Sequence, residues 1–247
     1  VRNILLLAGL VLALMGCAGT TSSATTAKAP IKETHQPFNL QVSEKIYVDS
    51  AFTAEETECI KAAAAIWNNG TNGVVHIDLV LGFSMRDARS NNEPYRYLNK
   101  IILRRTTSHS TVIKNIDKEI NQELQENAPK GSPILQTSAQ TLGYTDIHKK
   151  YTYVLIVVDR LLEANGLRAT LDKQKMTAVV AHEVMHTLSI PHMEAGKVGI
   201  LSGGDEEFLI QQTIGLRLRP LTVFTRDDAE AICDRFLCDP DTINYKH

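Results

Sequence analysis

Residues 182–192 read His182-Glu183-Val184-Met185-His186-Thr187-Leu188-Ser189-Ile190-Pro191-His192. Positions i and i+4 of a helix share one face. His182 and His186 can therefore aim two imidazoles at one point, with the Glu183 carboxylate beside them. The lead-in from Met176 to Leu188 is apolar and helical, and Pro191 ends it. The back face of that helix, Val180, Val184 and Leu188, is expected to pack into a core. His182, Glu183 and His186 are then left facing a cleft, and His192 lies close enough to the helix end to return to the same point.

Two imidazoles and a neighbouring glutamate form the pattern H-E-x-x-H, which supplies two zinc ligands and a general base. Zinc binds neutral imidazole nitrogen well, and a catalytic ion keeps three protein ligands and an open position. The predicted set is His182, His186 and His192 on one zinc ion, with Glu183 as the catalytic base. The plain alternative is a chance match on an ordinary helix. A second candidate for the third ligand is Glu206, twenty residues beyond His186. Asp205 and Glu207 flank it, and acidic residues at a helix start are usually solvated. The proline after the helix favours the nearer histidine.

Outward from this helix, residues 40–247 read as a mixed α+β domain. Thr53-Ala-Glu-Glu56 is a capping box opening a helix that carries Cys59, Ile60, Ala63, Ile66 and Trp67 and stops at Asn69-Gly70. Val74–Leu81 alternates as a half-buried strand, and Asn99–Arg105 reads as a second. Thr111–Asn127 has a helical apolar stripe, and Pro129–Pro133 is a loop. Tyr151–Asp159 is almost continuously apolar, as a central strand would be. The motif helix should span Asp172–Leu188, followed by a loop containing Gly196, Gly199, Gly203 and Gly204. Glu206–Leu216 has helical character, and Thr225 opens a last helix with Asp227 and Asp228 near its positive end.

The first residues do not read as fold. Arg2 gives a short positive region, Ile4–Met15 an apolar core of signal-peptide length, and Leu14-Met15-Gly16-Cys17 looks like a bacterial lipobox. Residues 1–16 are thus expected to be a lipoprotein signal peptide, with Cys17 lipidated. Residues 17–39, rich in Thr, Ser and Ala, would form a flexible tether. The expected location is the bacterial cell envelope, anchored by lipid at the outer membrane. The chain carries 26 basic and 28 acidic residues with no basic stripe, so nothing argues for nucleic acid. A monomer is expected. Cys59, Cys233 and Cys238 remain after Cys17. Cys233 and Cys238 sit on what reads as one helix, which makes a mutual bridge awkward. A bridge from Cys59 to one of them and unbridged buried cysteines are both open.

At His182, Glu183, His186 and His192 the chain resembles the metzincin zinc metallopeptidases, whose motif is H-E-x-x-H-x-x-G-x-x-H followed by a Met-turn. The match is tight over 182–192 and loose over residues 40–240. The resemblance implies a sheet backing the zinc helix, a C-terminal helix, and hydrolysis of peptide bonds by water under the action of zinc and Glu183. It implies a peptide or protein substrate lying extended along a sheet edge. Two positions depart from the family pattern. Ser189 stands where the family has the glycine that ends the helix, and Leu201 stands at the Met-turn methionine. A non-glycine residue in a left-handed turn costs about 1–2 kcal/mol, and a Leu–Met exchange usually costs under about 1.5 kcal/mol. Tyr144, Tyr151 and Tyr153 are candidates to assist an oxyanion, with a core or sheet-surface role favoured. The alternatives are a thermolysin-like peptidase using Glu206, a non-catalytic zinc-binding surface lipoprotein, and hydrolysis of a non-peptide amide.

Overall fold

The computed structural model describes residues 40–84, 100–127, 140–147, 151–165, 168–194, 197–202 and 222–245. Cys17 with the tether, Glu206 with its expected helix, the Pro129–Pro133 loop, and Gly196, Gly203 and Gly204 lie outside these residues. The elements are β1 (Val42–Asp49), α1 (Ala54–Gly70), β2 (Val75–Phe83), β3 (Lys100–Thr106) and α2 (Thr111–Asn127). There follow β4 (Gly143–Ile147), β5 (Tyr151–Val157), a hairpin of β6 (Leu162–Asn165) and β7 (Arg168–Leu171), α3 (Lys173–Thr187) and α4 (Arg226–Phe236). Five strands form one sheet in the order β2-β1-β3-β5-β4. β1 runs parallel to β2 and β3, and β3 runs parallel to β5. Only β4, at one edge, is antiparallel. The result is a mixed α/β architecture with a mostly parallel sheet.

Local chemistry explains the boundaries. Thr53 accepts from Glu56 N at 3.2 Å while the Glu56 carboxylate accepts from Thr53 N at 2.8 Å, so the expected capping box opens α1. The same Glu56 also receives Arg105 of β3 in a two-point ion pair, which ties the helix start to the sheet. Further along α1, Trp67 is fully buried against the edge of the Phe224 ring. Its indole N–H donates to Ala181 O of α3 at 2.9 Å. A buried indole needs such a partner, and here the partner is the residue immediately before His182.

β5 shows why its sequence is apolar throughout. Val154 and Ile156 face the main core with α1 and α3, whereas Leu155 and Val157 pack with Ile113 and Ile116 of α2. Both faces of the strand are covered, and continuous apolarity follows. That pattern reports two-sided burial rather than position, however: β5 lies second from an edge, and β3 occupies the middle of the sheet. Tyr144 and Tyr153 pack on the α2 side as well.

The cysteines are arranged differently from the bridge considered above. Cys233 and Cys238 are bonded to each other, and Cys59 is free and buried. The reason is the helix end. α4 stops at Phe236, and Leu237 adopts a left-handed conformation with φ 54°. Cys238 N then returns to Cys233 O at 3.3 Å. This reversal brings the two Cα atoms to 4.5 Å, a separation a disulfide spans readily. A straight helix would not have allowed it.

One ion pair sets an expected pH dependence. Arg160 grips Asp117 of α2 with both guanidinium ends, at 3.0 and 2.5 Å, and donates to Thr141 O at 2.8 Å. The guanidinium holds the Asp117 carboxyl down to about 2. A carboxyl depressed by folding stabilises the native state above its ordinary value near 3.9 and loses that contribution as pH falls through its folded value. Asp117→Asn should therefore cost about 2 kcal/mol at neutral pH. In urea titrations the gap between wild type and variant should narrow between about pH 4 and pH 2. A gap independent of pH would count against this pair.

Candidate metal centre

α3 begins at Asp172, whose side chain accepts from Lys175 N at 3.0 Å. Val180, Val184 and Leu188 are buried in the main core as the apolar spacing requires. The opposite face carries His182 and His186, and His192 comes back to join them. Their ring centroids stand 5.3 Å (His182–His186), 5.1 Å (His182–His192) and 4.7 Å (His186–His192) apart. One ligand nitrogen from each lies within 4.8 Å of the others, so the three imidazoles form a group able to hold a metal ion.

The helix end that returns His192 is a complete Schellman motif. Ser189 N bonds to His186 O at 3.0 Å, and Ile190 N reaches Met185 O at 3.1 Å. Ile190 and Met185 are both buried, supplying the hydrophobic contact that accompanies the motif. Ser189 has φ 59°, the left-handed conformation that its glycine counterpart would adopt freely. The turn is thus made with a residue that strains it. Ser189→Gly should stabilise the protein by about 1 kcal/mol, raising Tm by roughly 2–4 °C in a thermal melt. An unchanged or lowered Tm would show that the strain is compensated.

The proton inventory suits a metal. His182 Nδ1 lies 2.6 Å from Ile200 O, and a carbonyl can only accept, so the ring proton sits on Nδ1. Nε2 is left with its lone pair, 3.2 Å from His192 Nε2. A backbone acceptor that fixes the tautomer in this way is the usual support of a ligating histidine. Burial holds His182 down to about 4 against the Ile200 hydrogen bond, and the neighbouring imidazoles depress it further. Burial, with His192, likewise holds His186 down to about 4, and His192 is lowered by burial. Three neutral imidazoles at neutral pH are the donor set a divalent transition ion requires.

The Ile200 carbonyl is held by a residue whose role the sequence reading did not identify. Residues 199–202 form a turn, closed by Ser202 N to Gly199 O at 3.3 Å. The Asp228 carboxylate, fully buried, accepts from Ile200 N at 3.1 Å, Leu201 N at 2.9 Å and Thr225 N at 2.8 Å. Burial pushes this carboxyl up to about 6 while the N–H donors pull the other way. Gly199 is a glycine because a Cβ there would overlap the Asp228 carboxylate. The clue lay in the spacing Thr225-x-x-Asp228, a capping box at the start of α4. Leu201, at the expected Met-turn position, is completely buried, and its carbonyl receives Met193 N at 3.1 Å.

Glu183 is 6% exposed. Burial pushes its carboxyl up to about 7, and a hydrogen bond from Thr145 offsets part of that rise. Thr145 Oγ1 lies 2.7 Å from Glu183 Oε2. The edge strand β4 therefore lies directly against the carboxylate. Of the three tyrosines considered, Tyr144 and Tyr153 belong to the α2 side of the sheet, and Tyr151 stacks on Tyr153 at 4.5 Å. The residues that do reach Glu183 are Gly143 and Thr145. Neither carries a sequence signal, because five residues of alternating character are too few to declare a strand. Compared with known proteins, the chain matches no family model, and no curated protein matches it in sequence.

Proposed function

We propose that this chain is a zinc-dependent metalloendopeptidase of metzincin-like build. The observation that carries the reading is Glu183. It is a buried carboxyl on the same helix as two of the three clustered imidazoles, and among the described residues it has no cationic partner. An unpaired buried carboxyl costs stability, and a structural metal site has no use for one. Zinc, when bound, supplies Lewis-acid polarisation of a carbonyl and acidifies water. His182, His186 and His192 would hold it, with the Ile200 carbonyl fixing the His182 tautomer. Glu183 takes a proton at its carboxylate from the attacking water and returns it to the leaving amine. Among the described residues β4 pairs on one side, with β5, and the face of β4 carrying Thr145 meets Glu183. An extended peptide added to this strand as a further one would run close to the carboxylate. The lipid anchor at Cys17 and an envelope location belong to the same reading and rest on the sequence alone.

The test is Glu183→Gln in the full-length chain, measured on fluorescently labelled casein and on broad peptide pools. Hydrolysis should fall by about 10²–10⁴-fold while one equivalent of zinc stays bound. A wild-type protein that holds zinc and cleaves none of these substrates would instead be a non-catalytic zinc-binding protein.

A further inference from the structure

We propose that Thr145 is the positioning residue for the Glu183 carboxylate, an inference that rests on the peptidase reading above. Strand alternation puts Gly143 and Thr145 on one face of β4, and that face meets α3. The two positions act on Glu183 in complementary ways. At Gly143 the missing side chain makes room: a Cβ there would sit 2.5 Å from Glu183 Cγ and 2.6 Å from Oε1. At Thr145 the hydroxyl takes hold. Oγ1 lies 2.7 Å from Glu183 Oε2 and 3.1 Å from Glu183 O, so one hydroxyl reaches both the carboxylate and the backbone of the same residue. Between them, the wall at Gly143 limits where Oε1 can go and the hydroxyl fixes Oε2.

The hydroxyl is itself well placed. Thr145 is β-branched and stiff about χ1, and its backbone is registered against Val154 of β5. The lead-in to β4 is also anchored. Thr141 N donates to Asp117 Oδ1 at 3.0 Å, Thr141 O accepts from Arg160, and Leu142 O accepts from Val157 N at 2.9 Å. The Asp117–Arg160 pair thus anchors the residue two positions before β4, and pairing with β5 holds the strand itself. No other side chain among the described residues is hydrogen-bonded to the Glu183 carboxylate. Without the hydroxyl, no side-chain hydrogen bond among the described residues fixes Oε2, and a reacting group displaced by about 1 Å loses on the order of 10²-fold in rate.

The experiment uses the zinc-loaded full-length chain with Thr145→Val, which keeps the shape and removes the hydroxyl, and Thr145→Ser, which keeps the hydroxyl. On labelled casein, Thr145→Val should lower kcat by about 10–100-fold with KM unchanged and with zinc still at one equivalent. Thr145→Ser should restore most of the rate. A crystal structure of Thr145→Val should show the Glu183 carboxylate moved or spread over several rotamers. Wild-type kcat in Thr145→Val, or failure of serine to restore a lost rate, overturns the assignment. If wild-type protein cleaves nothing, the peptidase reading fails separately. The crystal structure then decides alone: a displaced carboxylate supports the positioning role, and an unmoved one overturns it.

Discussion

Replacing His192 by alanine empties the metal centre, and replacing Glu206 by alanine leaves it filled. The expectation rests on the convergence of three imidazoles, with His182 Nε2 and His192 Nε2 facing each other at 3.2 Å. A structural zinc site of four ligands is worth about 10–16 kcal/mol, so one ligand carries about 2.5–4 kcal/mol, or roughly 10²–10³ in Kd. Dialysis against a competing chelator followed by metal analysis measures this directly. A melt with and without excess zinc checks it independently, since a ligand that binds the folded state more tightly than the unfolded chain raises Tm. If Glu206→Ala loses zinc and His192→Ala keeps it, the third ligand is the glutamate. Peptidase chemistry would survive that result, and the metzincin-like reading would not.

The second large effect is expected at Asp228, far from the chemistry in sequence. Alanine there removes one carboxylate and leaves Ile200 N, Leu201 N and Thr225 N without their acceptor in a fully buried site. Each stranded donor costs about 1–3 kcal/mol. Some relaxation of the turn is expected, so the zinc-free protein should lose about 3–5 kcal/mol in urea titration. Zinc affinity should fall too, because the Ile200 carbonyl that orients His182 is no longer held. Asp227→Ala is the control. Its carboxylate is 28% exposed and bonds Lys197 and Val198 at the surface, so its loss should cost about 1 kcal/mol or less. A loss below about 1 kcal/mol at Asp228 would show that packing and the Ser202 hydrogen bonds hold the turn without this carboxylate.

How much of this was legible beforehand varies with the length of the signal. The apolar stripe of α2 and the motif helix show in the sequence because each is written over ten or more residues in one helical period, and the capping box at Thr53 shows because its four residues form a fixed local pattern. The clustering of His182 and His186 follows from helical spacing alone. His192 was legible through Pro191, although the turn before it uses Ser189 in a conformation that serine disfavours. Strands were less readable. β1 alternates over Val42, Ile46 and Val48, but the charged residues between obscure it, and β4 has only five residues. The supporting contacts were the least visible. Asp228, Thr145 and Gly143 act through tertiary neighbours 27 to 40 positions away, and no local pattern encodes such partners. The Cys233–Cys238 bond escaped for a related reason, since a single left-handed residue at Leu237 decides it.

All three imidazoles come from one stretch, residues 182–192. A chain that has lost its tertiary structure still keeps them within a short tether, at a high local concentration for any ion that meets the first of them. Affinity for the denatured ensemble is therefore not negligible, and ligand binding to that ensemble cancels part of the stabilisation given to the native one. An ion held by these imidazoles would protect the folded protein less than its native affinity alone implies. In return, the unfolded chain could capture such an ion before the sheet is assembled, so loading would not have to wait for folding.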